Sequence, residues 1–398
     1  MKRQLDISLS DPDISVPDLD AVAVVLRSQR LSQGPVVEQV EQAFAASLGR
    51  QHAVAVASGT HGLLLTLQAC RIGHGHETAT GALLSRGSSL APTGEVVVSP
   101  YSWYQIANAV TIACATPVFA DIDYWSSTLA PDKVDACIGP STQAIIACNV
   151  NGRPADWGPL RELASQRGLL LIEDSTEAIG SRYQGRSAGS FGDCAIFDFS
   201  QPGVLVCGEG SMVVADDADI TTLLRSSRNR RVDERFSVVA GACVPWQAGM
   251  SDLAAALGLT QLARPKEILA RRKIVERYYY EQGKSFEDIK DPYVAPEVDD
   301  VHWYLYLVHL GTRFTRAGRD AIIDDLHAAG IEAAAWCQPL HRQPSYRGPV
   351  GQCVTEKVAD RVLALPLHVH MTEDQVAFIV QTVKDASINV GSGVAIYL

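Results

Sequence analysis

Phe197-Asp198-Phe199-Ser200-Gln201-Pro202-Gly203-Val204-Leu205-Val206-Cys207-Gly208-Glu209-Gly210-Ser211 sets a strand against a turn. The run 194–199 is apolar and strand-like. Pro202-Gly203 marks a turn, and a second apolar run, 204–206, ends at Gly208-Glu209-Gly210. Immediately upstream, Gly189-Ser190-Phe191-Gly192-Asp193 is another turn. Before it, the apolar run 169–172 enters Glu173-Asp174-Ser175-Thr176-Glu177-Ala178. A carboxylate at the end of a buried strand stands where α/β proteins bind ligands, which makes Asp174 a site candidate. The alternative is that Asp174 caps a following helix.

Further upstream, residues 52–57 form a short apolar strand, followed by Ser58-Gly59-Thr60 and a helix expected over 61–71. The first N–H groups of a helix lack internal partners and its dipole favours an anion, so this turn is a candidate phosphate site. Ser-Gly-Thr is also a common helix N-cap. The strand 96–99 leads to Pro100-Tyr101-Ser102-Trp103, and Trp103 is either a core aromatic or a ring that faces a ligand. A helix over 104–114, strands over 116–120 and 144–150, and a helix over 157–167 continue the alternation. Residues 76–92, rich in Gly, Ser, Thr and Ala, are long for a connection and are expected to be a lid or a mobile loop. Downstream, helices run to about 262 and over 268–280. A smaller α/β unit follows, with a strand over 302–310 and a helix over 319–329.

The 398 residues allow a large core and two domains. A net charge of -11 argues against a nucleic-acid partner or an anionic membrane surface. The start, Met1-Lys2-Arg3-Gln4-Leu5-Asp6, leads into no apolar run of signal-peptide type, and no uncharged run has the length of a bilayer span. The nine cysteines are scattered singly without metal-ligand spacing. They read as reduced thiols of a cytoplasmic protein with no metal site.

In this order, these segments resemble the DegT-type (DegT/StrS) sugar aminotransferases, which depend on pyridoxal phosphate (PLP). The likeness covers about residues 15–386, and the 197–211 loop is also similar to that of 3-amino-5-hydroxybenzoate synthases. The resemblance implies a fold type I PLP-dependent aminotransferase (aspartate-aminotransferase-like). Such a fold has a large α/β domain with a mostly parallel seven-stranded sheet and a small C-terminal α/β domain. The expected partition is an N-terminal extension (1–15), the large domain (16–262, with the insertion at about 76–92), and an interdomain helix with the small domain (263–398).

The same resemblance assigns roles. Ser58, Gly59 and Thr60 fall where the family holds the PLP phosphate, Trp103 where an aromatic stacks on the pyridine, and Asp174 where a carboxylate pairs with the ring nitrogen. Asp198 replaces a phosphate-binding serine, and Glu177 a His or Gln near the ring oxygen. Gln247 and Gly249 replace an asparagine and an arginine that serve a twofold-related site. The Schiff-base lysine falls on Gly203, and the sequence has no lysine between Lys133 and Lys266. The expectation is therefore a degenerate homologue without a catalytic residue at that position, with the cofactor site vestigial or altered. It is expected to form a homodimer and to bind an active aminotransferase, another pathway enzyme or a small-molecule ligand. The alternative is an enzyme of altered chemistry, using PLP or pyridoxamine phosphate non-covalently or no cofactor, on a keto-sugar or cyclitol-like substrate.

Overall fold

The computed structural model describes residues 6–73, 94–229, 245–284, 289–290, 294, 296, 298–346 and 353–391. The expected insertion at 76–92 lies outside the described residues.

The strands are β1 (His52–Val56), β2 (Glu95–Val98), β3 (Thr116–Phe119), β4 (Thr142–Cys148), β5 (Leu170–Asp174), β6 (Arg182–Tyr183), β7 (Arg186–Ser187), β8 (Cys194–Asp198) and β9 (Ser211–Ala215). Seven of them make one sheet in the order β1-β9-β8-β5-β4-β2-β3. β3, β2, β4, β5 and β8 are mutually parallel, and β9 is antiparallel to both of its neighbours. The carboxyl ends of β1, β2, β4, β5 and β8 therefore share one edge. Val, Ile and Ala fill the central strands, which are buried almost throughout, as a sheet covered on both faces requires.

The covering helices are α1 (Val16–Leu26), α2 (Pro35–Leu48), α3 (Gly59–Ala69), α4 (Tyr104–Ile112), α5 (Pro131–Cys137), α6 (Trp157–Arg167), α7 (Ala218–Arg228), α8 (Asp252–Leu262) and α9 (Pro265–Gly283). α3 lies close on the sheet because Gly62 has no side chain. A Cβ there would stand 3.2 Å from Val213. The C-terminal part adds β10 (Ile289–Lys290), β11 (Val298–Asp300), β12 (Tyr306–Leu310), α10 (Arg316–Ala328), β13 (Ala334–Ala335), α11 (Val354–Ala359), β14 (Val362–Leu365) and α12 (Glu373–Gly391). Its sheet runs β10-β12-β14-β13. One apolar cluster joins Val97, Ile145 and Leu171 of the large sheet to Tyr306, Leu363 and Ile379 of this part. Among the described residues no helix is long and apolar enough to cross a membrane.

The structure corrects two sequence expectations and excludes one alternative. The strand expected over 302–310 starts only at Tyr306. Residues 303–305 are drawn elsewhere: buried Arg272 donates to the carbonyls of Trp303 and Tyr304 at 2.7 Å, and the Leu305 N–H donates to Asn151 Oδ1. The helix expected over 61–71 begins at Gly59, capped by Ser58, whose Oγ accepts from the His61 N–H. Asp174 caps no helix. The chain beyond it turns through 175–181, and Asp174 Oδ1 accepts from the Thr176 N–H within that turn.

Candidate active-site cleft

The carboxyl edge of the sheet opens on a cavity of about 110 Å³. Gly59 and Thr60 at the start of α3, Trp103, Asp174, Asp198 and Tyr304 stand on its wall. A smaller one of about 10 Å³, the size of one water, lies behind Trp103 and Asp174 and reaches Glu177, Tyr101 and Trp336. Five of the seven residues expected to bind the cofactor thus line the larger cavity, and Glu177 lines the smaller. Ser58 lines neither, and its hydroxyl is committed to the N-cap and to His61 Nδ1 at 2.9 Å. Gln247 is exposed, and Gly249 bridges to Val56 at the end of β1. Neither lines either of these two cavities.

Asp174 is held by its neighbour on β5. Glu173 is fully buried, and its carboxylate accepts from the N–H groups of Gly189, Phe191 and Gly192, from Ser175 Oγ and from Asn149 Nδ2. The Gly189–Asp193 turn is thereby a backbone nest around one carboxylate. Asp193 fixes the same turn to β5 by accepting from the Leu171 N–H. Asn149 is spent on this scaffold: its Oδ1 accepts from the Ala155 N–H and from Trp157 Nε1. With Glu173 directed into the nest, alternation along the strand presents Asp174 to the cavity.

Burial pushes the Asp174 carboxyl up to about 6, with further upward pressure from the charges of Asp198 and Glu173. Glu177 is buried as well. Trp103 Nε1 donates to one of its oxygens and the Asn151 N–H to the other. Desolvation outweighs both bonds and, with the charge of Asp174, raises Glu177 to about 8. Trp103 is thus more than a core aromatic. It carries Glu177 on its ring nitrogen, meets Trp336 edge-on at 5.4 Å, and lines both cavities.

Asp198, at the end of β8, has one oxygen on the Gly59 N–H at 2.6 Å. Its other oxygen accepts from the N–H and Oγ of Ser200. The loop beyond it carries Ser200, Gln201 and Pro202 over the cavity, and Tyr304 Oη donates to the Pro202 carbonyl. Gly203 is not on the wall. The lining residues of the two cavities include no lysine, arginine or histidine. Tyr304 and Gln105 were not foreseen as site residues. The only signal for Tyr304 was an aromatic ahead of β12, inside a run that reads as strand.

An α/β protein with an aromatic and a strand-end aspartate facing a helix N-terminus across this edge has the architecture of the PLP-type aminotransferases. The chain belongs to the DegT/DnrJ/EryC1/StrS aminotransferase family, whose model matches residues 12–384. It is 33% identical over 379 residues to the GDP-perosamine synthase of Caulobacter vibrioides, covering 92% of this chain and 94% of the relative. Among solved structures it resembles the aminotransferase TlmJ from Streptoalloteichus hindustanus, with TM-score 0.84, 27% identity, and coverage of 96% and 99% of the two chains. It also resembles DesV of S. venezuelae, solved in complex with a ketimine intermediate, with TM-score 0.80, 30% identity, and coverage of 93% and 94%.

Proposed function

We propose that this chain is a sugar-aminotransferase homologue that does not transaminate, and that it serves as a ligand- or partner-binding member of a sugar or natural-product pathway. The observation that carries this reading is the missing amine. The family's chemistry needs one primary amine to hold the aldehyde cofactor and to move a proton at the substrate carbon. The frame of the 197–211 loop puts Gly203 in that place, no lysine occurs from 134 to 265, and no lysine lines either cavity. In this respect the residues present do not fit PLP as a covalently held cofactor. α1 leaves Val16, Leu19, Val24 and Leu26 exposed, which favours a second chain against this helix, whether a twin in a homodimer or a lysine-bearing relative. Composition favours a cytoplasmic setting.

A titration with PLP, followed by absorbance and by borohydride reduction, tests the reading. The expected result is no aldimine band and no amino transfer from glutamate to a nucleotide-linked keto-sugar. A reducible aldimine with turnover would sink it.

One observation favours a second reading, an enzyme of altered chemistry on a keto-sugar or cyclitol-like substrate. Asp174 and Glu177 are two buried carboxyls with raised pKa values on the same cleft, and such a pair can hold and pass a proton. Under this reading Glu177→Gln abolishes whatever turnover is found. Turnover that survives the substitution removes the support.

A further inference from the structure

We infer that Asp198 is a built-in anion: its carboxylate takes the place that a cofactor phosphate would need at the start of α3, so the cleft selects against phosphate-bearing ligands. The inference rests on the membership and cleft described above, but it concerns the phosphate end rather than the missing amine.

The first helical N–H of α3, that of Gly59, is one of the donors an anion would use at this edge. It already donates to Asp198 Oδ2 at 2.6 Å. The approach is close enough that a Cβ on Gly59 would stand 2.7 Å from that oxygen. Asp198 is also fixed from its other side. The N–H and Oγ of Ser200 hold its second oxygen, and its own N–H donates to Thr176 Oγ1 at 3.1 Å. The carboxylate is therefore anchored by β8, by the loop and by the helix. A phosphate entering here would lose the Gly59 donor and meet a like charge. Among the described residues no lysine, arginine or histidine on the cavity wall offsets that charge, and Asp174 stands across the same cavity. Ser200, the next hydroxyl along the loop, is occupied with Asp198 and is not a substitute donor.

The test is calorimetric binding of inorganic phosphate, pyridoxamine and pyridoxamine 5′-phosphate to the full chain and to two variants. Asp198→Ser removes the charge and leaves a hydroxyl. Asp198→Asn keeps the shape and separates loss of charge from loss of packing. Thermal unfolding of each variant establishes that it is folded. The expected result is that the parent protein prefers pyridoxamine to its 5′-phosphate, or binds neither. Asp198→Ser should reverse this, with a gain of about tenfold or more for the phosphorylated compound and a new stabilisation by millimolar phosphate, as removing one close like charge predicts. Asp198→Asn should fall between. If the parent protein prefers the phosphorylated compound as strongly as Asp198→Ser does, the inference is overturned. That outcome would leave the missing amine untouched. Conversely, an aldimine and turnover in the parent protein would sink the proposed function without deciding what Asp198 does to phosphate.

Discussion

Two helices of this fold begin against an aspartate from a distant part of the chain, and the two aspartates serve different ends. At α2, Asp252 accepts from the N–H groups of Gly34, Val36 and Val37 at 2.6, 3.1 and 3.2 Å, and it is 1% exposed. At α3, Asp198 accepts from the Gly59 N–H at 2.6 Å and stands on the wall of a cavity. In each case a glycine allows the approach, since a Cβ on Gly34 or on Gly59 would lie 2.7 Å from the carboxylate. The Asp252 cap closes a helix end inside protein and can be understood from folding alone. The Asp198 cap closes a helix end where the aminotransferase architecture leaves room for a ligand. The same carboxylate-on-helix contact is structural in one place, and in the other it stands on a cavity wall, where the inference above gives it a part in ligand choice.

The largest effect expected from breaking this comparison is on the structural side. Asp252→Ala strands three N–H groups and removes a buried charge-assisted cap, a loss on the order of 4 kcal/mol. Urea unfolding checks it, and the cleft's ligand preference should be unchanged in whatever fraction stays folded. Asp198→Ser keeps an oxygen near the Gly59 N–H and should cost only about 1 kcal/mol. Equal losses in the two variants would mean that Asp198 is a structural cap like Asp252.

The acid pair behind Asp198 gives the next effect. Glu177 is raised from 4.5 to about 8 and Asp174 from 3.8 to about 6, so the folded chain holds protons that the unfolded chain has released. The associated stability is fully present below about pH 4. It is lost as pH rises, first through the value for Asp174 and then through that for Glu177. The loss between pH 5 and 8 is several kcal/mol, most of it carried by Glu177. Glu177→Gln keeps a neutral group beside Trp103 and Asn151 and should flatten most of that slope. Denaturant midpoints at pH 5 and pH 8 for both proteins check this. An equal fall in both would assign the slope to other groups.

Much of this was legible in the sequence, for reasons that differ residue by residue. The strand end and the small-residue turn placed Asp174, Gly59 and Thr60 at one edge, because parallel strands must align their carboxyl ends there, whereas Asp198 came only from the family resemblance. The roles of Glu173 and Asn149 were not legible. Adjacent carboxylates such as Glu173 and Asp174 are told apart only by the nest of N–H groups that the Gly189–Asp193 turn folds around the first. Tyr304 was read as part of a strand, because nothing local shows that Arg272 and Asn151 claim the backbone around it. The contact of Asp198 with Gly59 was also out of reach. A carboxylate near the phosphate position could be named from the sequence, but not the fact that it holds the helix N–H itself.

Gly203 offers the smallest change in stability and sharpens the comparison furthest. A Cβ there would meet Leu205 O and Val206 Cγ1 at 3.3 Å and Ser200 O at 3.4 Å, tight contacts that ask for shifts of a few tenths of an ångström. Its φ lies outside the left-handed region, so a side chain brings no backbone strain of that kind. Gly203→Lys should therefore cost about 1 kcal/mol or less, since the residue is only part-buried and has room to adjust. Alone, it supplies an amine but leaves Asp198 in place, and it should form little aldimine with PLP. Combined with Asp198→Ser, it restores both the amine and the anion cradle, and a borohydride-reducible aldimine should appear. If Gly203→Lys alone forms that aldimine as fully as the double variant, the carboxylate at α3 is no obstacle to the phosphate, and Asp198 joins Asp252 as a cap of the fold.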